Sequence, residues 1–582
     1  LAAAWTAAWP HALEAWSKFT RLRPPALCRS AKEARAEGLT GSFAMIRLHD
    51  QAIVVSLPAV VESGVEGLPV EVLAHEIGHH VLAPATLTDH ARMIARMRRG
   101  LPTLEAAAPM VANLYTDLLV NDRLQRAAGL PMDAVYRALP REDEAGALWR
   151  VYLRIYEVLW SLPRASLGGG RTDDREEGDA WLGARLVRSY ARDWLDGSGR
   201  FAALMLPYLL EDQAAAERDF GRLADTRAAA AGGSPAGLVD IDPDEEAGAI
   251  HPAADPALGG EAPEEVDTAP VDVERQAPSR GQTREPFEYG DILRAAGIAV
   301  DDHEAAVRYY AERARRHLVR FPSRPVPEQP DPLPEGLEPW SLGDPLDELG
   351  WFETIAQSPR VIPGVTTVKR VYGTTEGNRV LRQPIDLDLY VDSSGSMADP
   401  RVHTSFPTLA GAIVALSALR AGARVQATLW SGARQFVSTD GFVRDERAVL
   451  RILTGYFGGA TAFPLHVLRD TFARRPVTAR PAHILVVSDD GVSTLFDAVD
   501  ERGTAGWQVA RTALARAGGG GTLVLNLWPR WEEADMGPYQ VIRRARDQEG
   551  WAVDVVTGWE ELVEFARAFS RRHWAPGERA AS

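Results

Sequence analysis

An acidic, small-residue stretch in the middle of the chain constrains the fold most. From Ala228 to about residue 287 the sequence is dominated by Ala, Gly, Pro, Asp and Glu, as in "AAAAGGSPAGLVDIDPDEEAG", with almost no large apolar side chains. Such a segment buries too little surface to offset the entropy of ordering it, so it reads as a disordered acidic linker over 228–287. A chain of 582 residues interrupted in this way cannot share one core. The expectation is multidomain: residues 1–227, the linker 228–287, a helical and irregular connecting region 288–380, and a second folded domain 381–575.

The two sides of the break have different periods. Before it, "TDHARMIARMRRGL", "MVANLYTDLLVNDRLQRAAG", "ALWRVYLRIYEVLWSL" and "AWLGARLVRSYARDWL" repeat apolar residues near 3.6, which predicts a mainly α domain. The exception is "AMIRLHDQAIVVSL", Ala44–Leu57, which alternates and reads as a short hairpin or edge strand. After the break, "DDHEAAVRYYAERARRHLVRF" predicts a helix with Asp301 or Asp302 as N-cap. From Ile385 the strand runs "IDLDLYV", "RVQATLW", "HILVVS", "GTLVLNL" and "WAVDVV" alternate with helical stretches. That is the signature of an open, doubly wound α/β sheet. The glycine run Gly518–Gly521 has no lysine after it and reads as a flexible turn before a strand.

Composition excludes several function classes. Cys28 is the only cysteine, so neither an intrachain disulfide nor a cysteine-rich zinc site can form. The formal net charge of −16 argues against a nucleic-acid backbone as partner. No apolar run is long enough to span a bilayer, and the first residues have no basic n-region. The expectation is therefore a cytoplasmic protein with neither a membrane nor a nucleic-acid partner. Lys18, Lys32 and Lys369 are the only lysines, and none lies in a G-K-[ST] loop. Any ATP hydrolysis must come from a separate protein.

Two short stretches carry chemistry. In "VEVLAHEIGHHVL", Val70–Leu82, His75 and His79 lie four apart and share a helix face. They can present two imidazoles to one metal ion, and Glu76 is placed as general base to take a proton from an attacking water. The third ligand is sought on "VANLYTDLLVNDRL", where Asn113, Asp117 and Asn121 form a polar stripe on an apolar helix. A buried carboxylate there needs a partner, which favours Asp117. Asp122, Asp89 and His90 are weaker candidates, and His80 points about 100° round the helix from His79. In "LDLYVDSSGSMADP", Leu387–Pro400, a strand ends in Asp392, Ser394 and Ser396. One carboxylate and two hydroxyls in a tight loop suit a hard cation such as Mg²⁺ or Mn²⁺.

The "HEIGHH" and "NLYTDLLVND" stretches resemble the zincin metallopeptidases, and in particular the metallopeptidase domain that accompanies von Willebrand factor A-like domains in some bacterial proteins. The resemblance implies zinc on His75, His79 and Asp117, Glu76 as catalytic base, and a protein or peptide substrate. It also implies an edge strand before the metal helix that pairs with the substrate backbone, a role Gln51–Leu57 could fill. The zincin extension HExxHxxGxxH does not follow. The downstream box closely resembles the metal-ion-dependent adhesion site (MIDAS) of von Willebrand factor A domains. There two further loops contribute, here "FGGATAFPL" with Thr461 and "ILVVSDDG" with Asp489, Asp490 being the alternative. Such an ion leaves one position for a partner's Asp or Glu. In bacteria these domains commonly serve MoxR-type AAA+ ATPases or the related chelatases. The resemblance implies an intracellular zinc metallopeptidase joined to a magnesium-dependent docking domain. The other reading is a non-catalytic adaptor or chelatase-like subunit of an AAA+ complex.

Overall fold

The computed structural model describes residues 1–139, 146–211, 226–227, 233–242, 245, 247–258, 283–325, 331–375, 382–432, 434–475 and 480–574. The chain is multidomain and about half helical. It forms two compact units. The first comprises Leu1–Arg316 with Ala398–Ser405 and Thr454–Tyr456, and the second His317–Met397, Phe406–Leu453 and Phe457–Ser582. Among the described residues, no helix is long and apolar enough to cross a membrane.

The first unit is built on helices around a small sheet. The elements that position its site are α1 (Ala2–Glu14), β1 (Ala26–Cys28), β2 (Ala44–Arg47), β3 (Ala52–Ser56), α2 (Pro69–Val81), α3 (Leu87–Gly100) and α4 (Ala108–Ala127). They are followed by α5 (Met132–Ala138), α6 (Ala147–Leu159), α7 (Asp174–Ser189), α8 (Trp194–Glu211) and β4 (Thr226–Arg227). The central helix is α4, which packs against α2, α3, α5, α6 and α8. Fourteen of its 20 residues are buried. A helix covered on this scale cannot turn its Asn113–Asp117–Asn121 stripe to solvent, so those polar groups must be met inside the protein. The HExxH helix α2 begins on Pro69 in its first turn and packs against α1 and α4. Tyr115, Tyr152, Tyr156, Phe201 and Met205 are part of the surrounding apolar core.

The Ala44–Leu57 hairpin forms as expected, with β2 antiparallel to β3. It is not a sheet edge, however. The strand order is β1-β3-β2-β4, and β3 is covered on its other side by parallel pairing with β1. This corrects the edge-strand expectation for Gln51–Leu57. The covering strand β1 is three residues long and leaves no alternation to read.

The acidic segment differs from its expectation over 233–258. Leu238, Val239, Ile241 and Leu258 are buried, and the acids around them meet arginines of the helical part. Arg92 pairs with Asp242 at 3.2 Å and with Glu245 at 3.4 Å. Arg200 pairs with Asp255 at 2.6 Å, and the Tyr190 hydroxyl donates to the same carboxylate. Composition suggested disorder because it counts the segment's own apolar surface and not the partners elsewhere in the chain. Residues 228–232, 243, 244, 246 and 259–282 of the expected linker lie outside the described residues, whereas 283–287 are described and run into the next helix. The two helices that follow, α9 (Pro286–Ala295) and α10 (Asp302–Arg315), belong to the first unit rather than to a separate connecting region. Asp301 caps α10, accepting from the Glu304 amide at 2.7 Å.

The second unit carries a six-stranded sheet with helices on both faces. Its strands are β5 (Asp386–Asp392), β6 (Val425–Trp430), β7 (Phe436–Ser438), β8 (Ala482–Ser488), β9 (Gly518–Leu525) and β10 (Trp551–Val555). They run β7-β6-β5-β8-β9-β10, all parallel except the edge strand β7. On one face α11 (Phe406–Arg420) lies against Leu389 and Val487 through Gly411. On the other, α12 (Leu465–Arg474) and α13 (Gly506–Ala517) cover Tyr390, Ile484, Val486 and Leu523. The glycine run belongs to β9 rather than to a turn. A Cβ on Gly519 would come 2.3 Å from the Ala482 carbonyl oxygen, so glycine is what lets these strands close up. The chain leaves β5 towards one side of the sheet and enters β8 on the other. The switch point of this order therefore lies between β5 and β8, and open α/β sheets hold ligands at the carboxyl ends of their strands there.

Candidate metal centres

In the first unit the fold brings His75, His79 and Asp117 together. One ligand atom from each lies within 4.8 Å of the others. His75 Nε2 and His79 Nε2 are 3.2 Å apart. Asp117 Oδ1 lies 3.5 Å from His79 Nε2 and 3.8 Å from His75 Nε2. Ligand atoms about 2.0–2.1 Å from one tetrahedral ion stand roughly 3.3 Å from each other, so these three spacings suit a shared ion.

The opposite ring nitrogens show which atoms face the centre. His79 Nδ1 is 2.9 Å from the Ala83 carbonyl oxygen, and His75 Nδ1 is 2.7 Å from Asn121 Oδ1. Both partners accept, so each Nδ1 carries the hydrogen and each Nε2 carries a lone pair. Two lone pairs and a carboxylate oxygen then point at one small volume, where a cation would relieve their mutual repulsion. The site is buried: the side chains of His75, His79 and Asp117 are 12%, 0% and 3% exposed. Glu76, on the same helix, is 1% exposed.

Helix approach builds this geometry. A Cβ on Gly78 would lie 2.4 Å from Val120 Cγ1 and 2.6 Å from Trp16 Cζ2. The glycine therefore lets α2 and α4 come close enough for the two histidines to meet Asp117. Trp16 also donates from Nε1 to the Ala74 carbonyl at 2.7 Å, pinning the turn before the box.

The weaker third-ligand candidates are placed elsewhere. Asp89 lies in the first turn of α3 and takes the Thr86 hydroxyl at 2.8 Å. Asp122 pairs with Arg126 at 3.3 Å, and burial raises its pKa. His90 is buried, and burial, with a smaller contribution from His79, pushes its pKa down to about 4, but it is not in the converging group. His80 Nδ1 lies 2.7 Å from Gln51 Oε1. A tyrosine cluster escaped the sequence reading. Tyr136 and Tyr156 stand behind Asn121, and only the i, i+4 spacing of Tyr152 and Tyr156 on α6 could have hinted at it.

In the second unit three loops meet at the β5/β8 switch point. Asp392 ends β5, its Oδ1 accepting from the Ser394 amide at 2.8 Å and its Oδ2 from the Ser488 hydroxyl at 2.6 Å. Ser394 Oγ and Ser396 Oγ are 3.1 Å apart. The glycine pair of the second loop binds the first loop through its backbone, Gly395 N to Gly459 O and Gly458 N to Ser393 O, both 2.9 Å. Thr461 and Asp489 both crowd Gly491, where a Cβ would lie 2.4 Å from Thr461 Cγ2 and 2.9 Å from Asp489 Oδ1. Asp489 Oδ1 also accepts from the Gly491 amide at 2.8 Å. Burial pushes Asp392 up to about 6, against its hydrogen bonds to Ser488 and Ser394, and the charge of Asp489 adds to the rise. Burial and Asp489 likewise raise Asp490. The donor set is all oxygen, with carboxylates that repel one another, which is the chemistry of a hard-cation site.

Comparison of the chain with protein-family models, with curated proteins and with solved structures finds no match.

Proposed function

We propose that the first unit is a zincin-like zinc metallopeptidase, and the second a doubly wound von Willebrand factor A domain whose MIDAS docks an acidic side chain of a partner, a MoxR-type AAA+ ATPase. The observation that carries this reading is the convergence of His75 Nε2, His79 Nε2 and Asp117 Oδ1 beside Glu76. His75, His79 and Asp117 would hold Zn²⁺, a set of two nitrogens and one oxygen that suits it. When bound, zinc supplies Lewis-acid polarisation of a peptide carbonyl and activation of water. The Glu76 carboxylate takes the proton of the attacking water and delivers it to the leaving amine nitrogen.

Metal analysis of purified protein tests this. Wild type should hold one zinc per chain, His75→Ala should lose it, and Glu76→Gln should keep the metal while losing hydrolysis of a labelled unfolded casein. Wild-type protein without zinc would overturn the reading. The near-complete burial of Glu76 and His79 favours a second reading, a non-catalytic adaptor with a structural ion. Full zinc occupancy with equal, background hydrolysis by wild type and Glu76→Gln would select it.

The docking half rests on the oxygen set of Asp392, Ser394, Ser396, Thr461 and Asp489. Hydroxyls neutralise little of the charge of Mg²⁺ or Mn²⁺, so a partner's Asp or Glu is drawn to the remaining position. Binding of a MoxR-type ATPase should require Mg²⁺ or Mn²⁺, and Asp392→Ala should abolish it with the melting curve of the unit retained. Equal affinity of Asp392→Ala and wild type would remove the MIDAS as the docking point.

A further inference from the structure

Behind His75 the metal ligands give way to a polar chain that the reading above does not use. Asn121 accepts at Oδ1 from His75 Nδ1 and donates from Nδ2 to two phenol oxygens, Tyr136 and Tyr156, at 3.0 Å each. The Tyr136 hydroxyl donates to Tyr156 at 2.8 Å. Tyr156 and Tyr152 are 3.1 Å apart, and Tyr152 and Tyr136 close a triangle at 3.4 Å. Asn121 is 2% exposed, and Tyr136, Tyr152 and Tyr156 are 8%, 0% and 0% exposed. Burial, then Tyr136, keeps the Tyr152 and Tyr156 hydroxyls protonated far above the usual range.

Counting protons orients the amide. Each phenol has one hydrogen, and that of Tyr136 goes to Tyr156. The Tyr136 oxygen can then only accept from Asn121, so the amide must turn its NH₂ towards the tyrosines and its carbonyl towards His75. A carbonyl oxygen never donates, so His75 must carry its hydrogen on Nδ1. With the amide reversed, NH₂ would face Nδ1 and the ring hydrogen would move to Nε2, the atom that faces His79 and Asp117. We propose that Asn121, oriented by the Tyr136–Tyr156 pair, is the positioning residue that fixes His75 as the Nδ1–H tautomer and presents a bare Nε2 to the metal. The metal consequence rests on the zinc reading above; the tautomer does not. His79 is a built-in control, because its Nδ1 meets the Ala83 backbone carbonyl, which no side-chain variant removes.

The test uses metal-free, full-length protein with ¹⁵N-labelled histidine at pH 8, with long-range ¹H–¹⁵N correlations assigned through His75→Gln. Wild type should show His75 as Nδ1–H. Asn121→Leu should shift His75 to a mixture or to Nε2–H and leave His79 unchanged, with zinc affinity falling about 10–100-fold. Asn121→Asp keeps an acceptor at this position and should restore both the tautomer and the affinity. Tyr136→Phe removes only a hydroxyl, so it keeps the test open if Asn121→Leu fails to fold. It should loosen the tautomer preference of His75 alone. His75 found as Nε2–H in wild type would overturn the proposal. So would a folded Asn121→Leu, or Tyr136→Phe, with wild-type His75 tautomer and zinc affinity. If wild type shows Nδ1–H but never takes up zinc, the positioning role stands and the metallopeptidase reading falls.

Discussion

Asp388 lies on β5 four residues before Asp392 and is fully buried. Its Oδ2 accepts from the Tyr390 hydroxyl at 3.1 Å, and burial pushes its pKa up from 3.8 to about 7. An acid whose folded pKa is raised holds its proton in the folded state at pH values where the unfolded chain has released it. The contribution of Asp388 to stability is therefore most favourable below about pH 4, falls as pH rises through the window from about 4 to 7, and is level above it. At 1.36 kcal/mol per unit, the ionisation penalty above pH 7 is roughly 4 kcal/mol at most. Asp388→Asn keeps an acceptor for Tyr390 and removes that penalty. It should raise the melting temperature of the second unit at pH 8 and change it little at pH 4.5. A thermal-unfolding series over that range checks it; an equal effect at both ends would show that burial is not what the variant relieves. Asp388 plays no part in the candidate hard-cation loops, so the effect is separable from them.

At the scale of elements, the site depends on how closely α2 and α4 approach, and Gly78 sets that approach. Gly78→Ala keeps all three candidate ligand residues but drives a methyl into Val120 and Trp16. Overpacking of this kind costs about 1–3 kcal/mol. The expected outcome is a lower melting temperature together with weaker zinc binding; a Gly78→Ala variant with wild-type zinc affinity would show that the helices tolerate the shift. The grouping of the three candidate ligands was legible because each rests on a local pattern: HExxH at helical spacing, and an i, i+4, i+8 polar stripe that a buried helix cannot leave unmet. Five of the six sheet strands were legible as short apolar runs, and the oxygen loops as ends of those strands, but the three-residue edge strand β7 was not. What the pattern could not show was anything set by distant partners. Strand β1 is too short to alternate, and its pairing is what covers β3. The tyrosines behind Asn121 come from α5 and α6 and meet only after the helices pack.

Across the whole first unit, the acidic segment 233–258 shows why composition misjudges order. Its buried Leu238 and Val239 are few, yet Arg284 sits against it almost fully buried. Arg284 donates to the Leu238 carbonyl at 2.6 Å and pairs with Glu245, and its own carbonyl accepts from the Tyr309 hydroxyl at 2.6 Å. Glu245 in turn meets Arg92 of α3, and α10 supplies Tyr309, so Arg284 ties three parts of the chain together, two through its guanidinium and α10 through its backbone carbonyl. Burial, with a smaller contribution from the charge of Arg99, lowers the pKa of Arg284, and the carboxylate of Glu245 opposes that shift. Removing one member of a buried, hydrogen-bonded pair costs about 3–5 kcal/mol because the other charge is left in a poor dielectric. Arg284→Ala should therefore destabilise the first unit by that order, whereas Arg284→Ala combined with Glu245→Gln should recover part of the loss, since the stranded charge is gone. Limited proteolysis gives a second readout: wild type should resist cleavage between residues 233 and 258, and Arg284→Ala should be cut there. Rapid cleavage of wild-type protein within that stretch would return it to the linker that its composition first suggested.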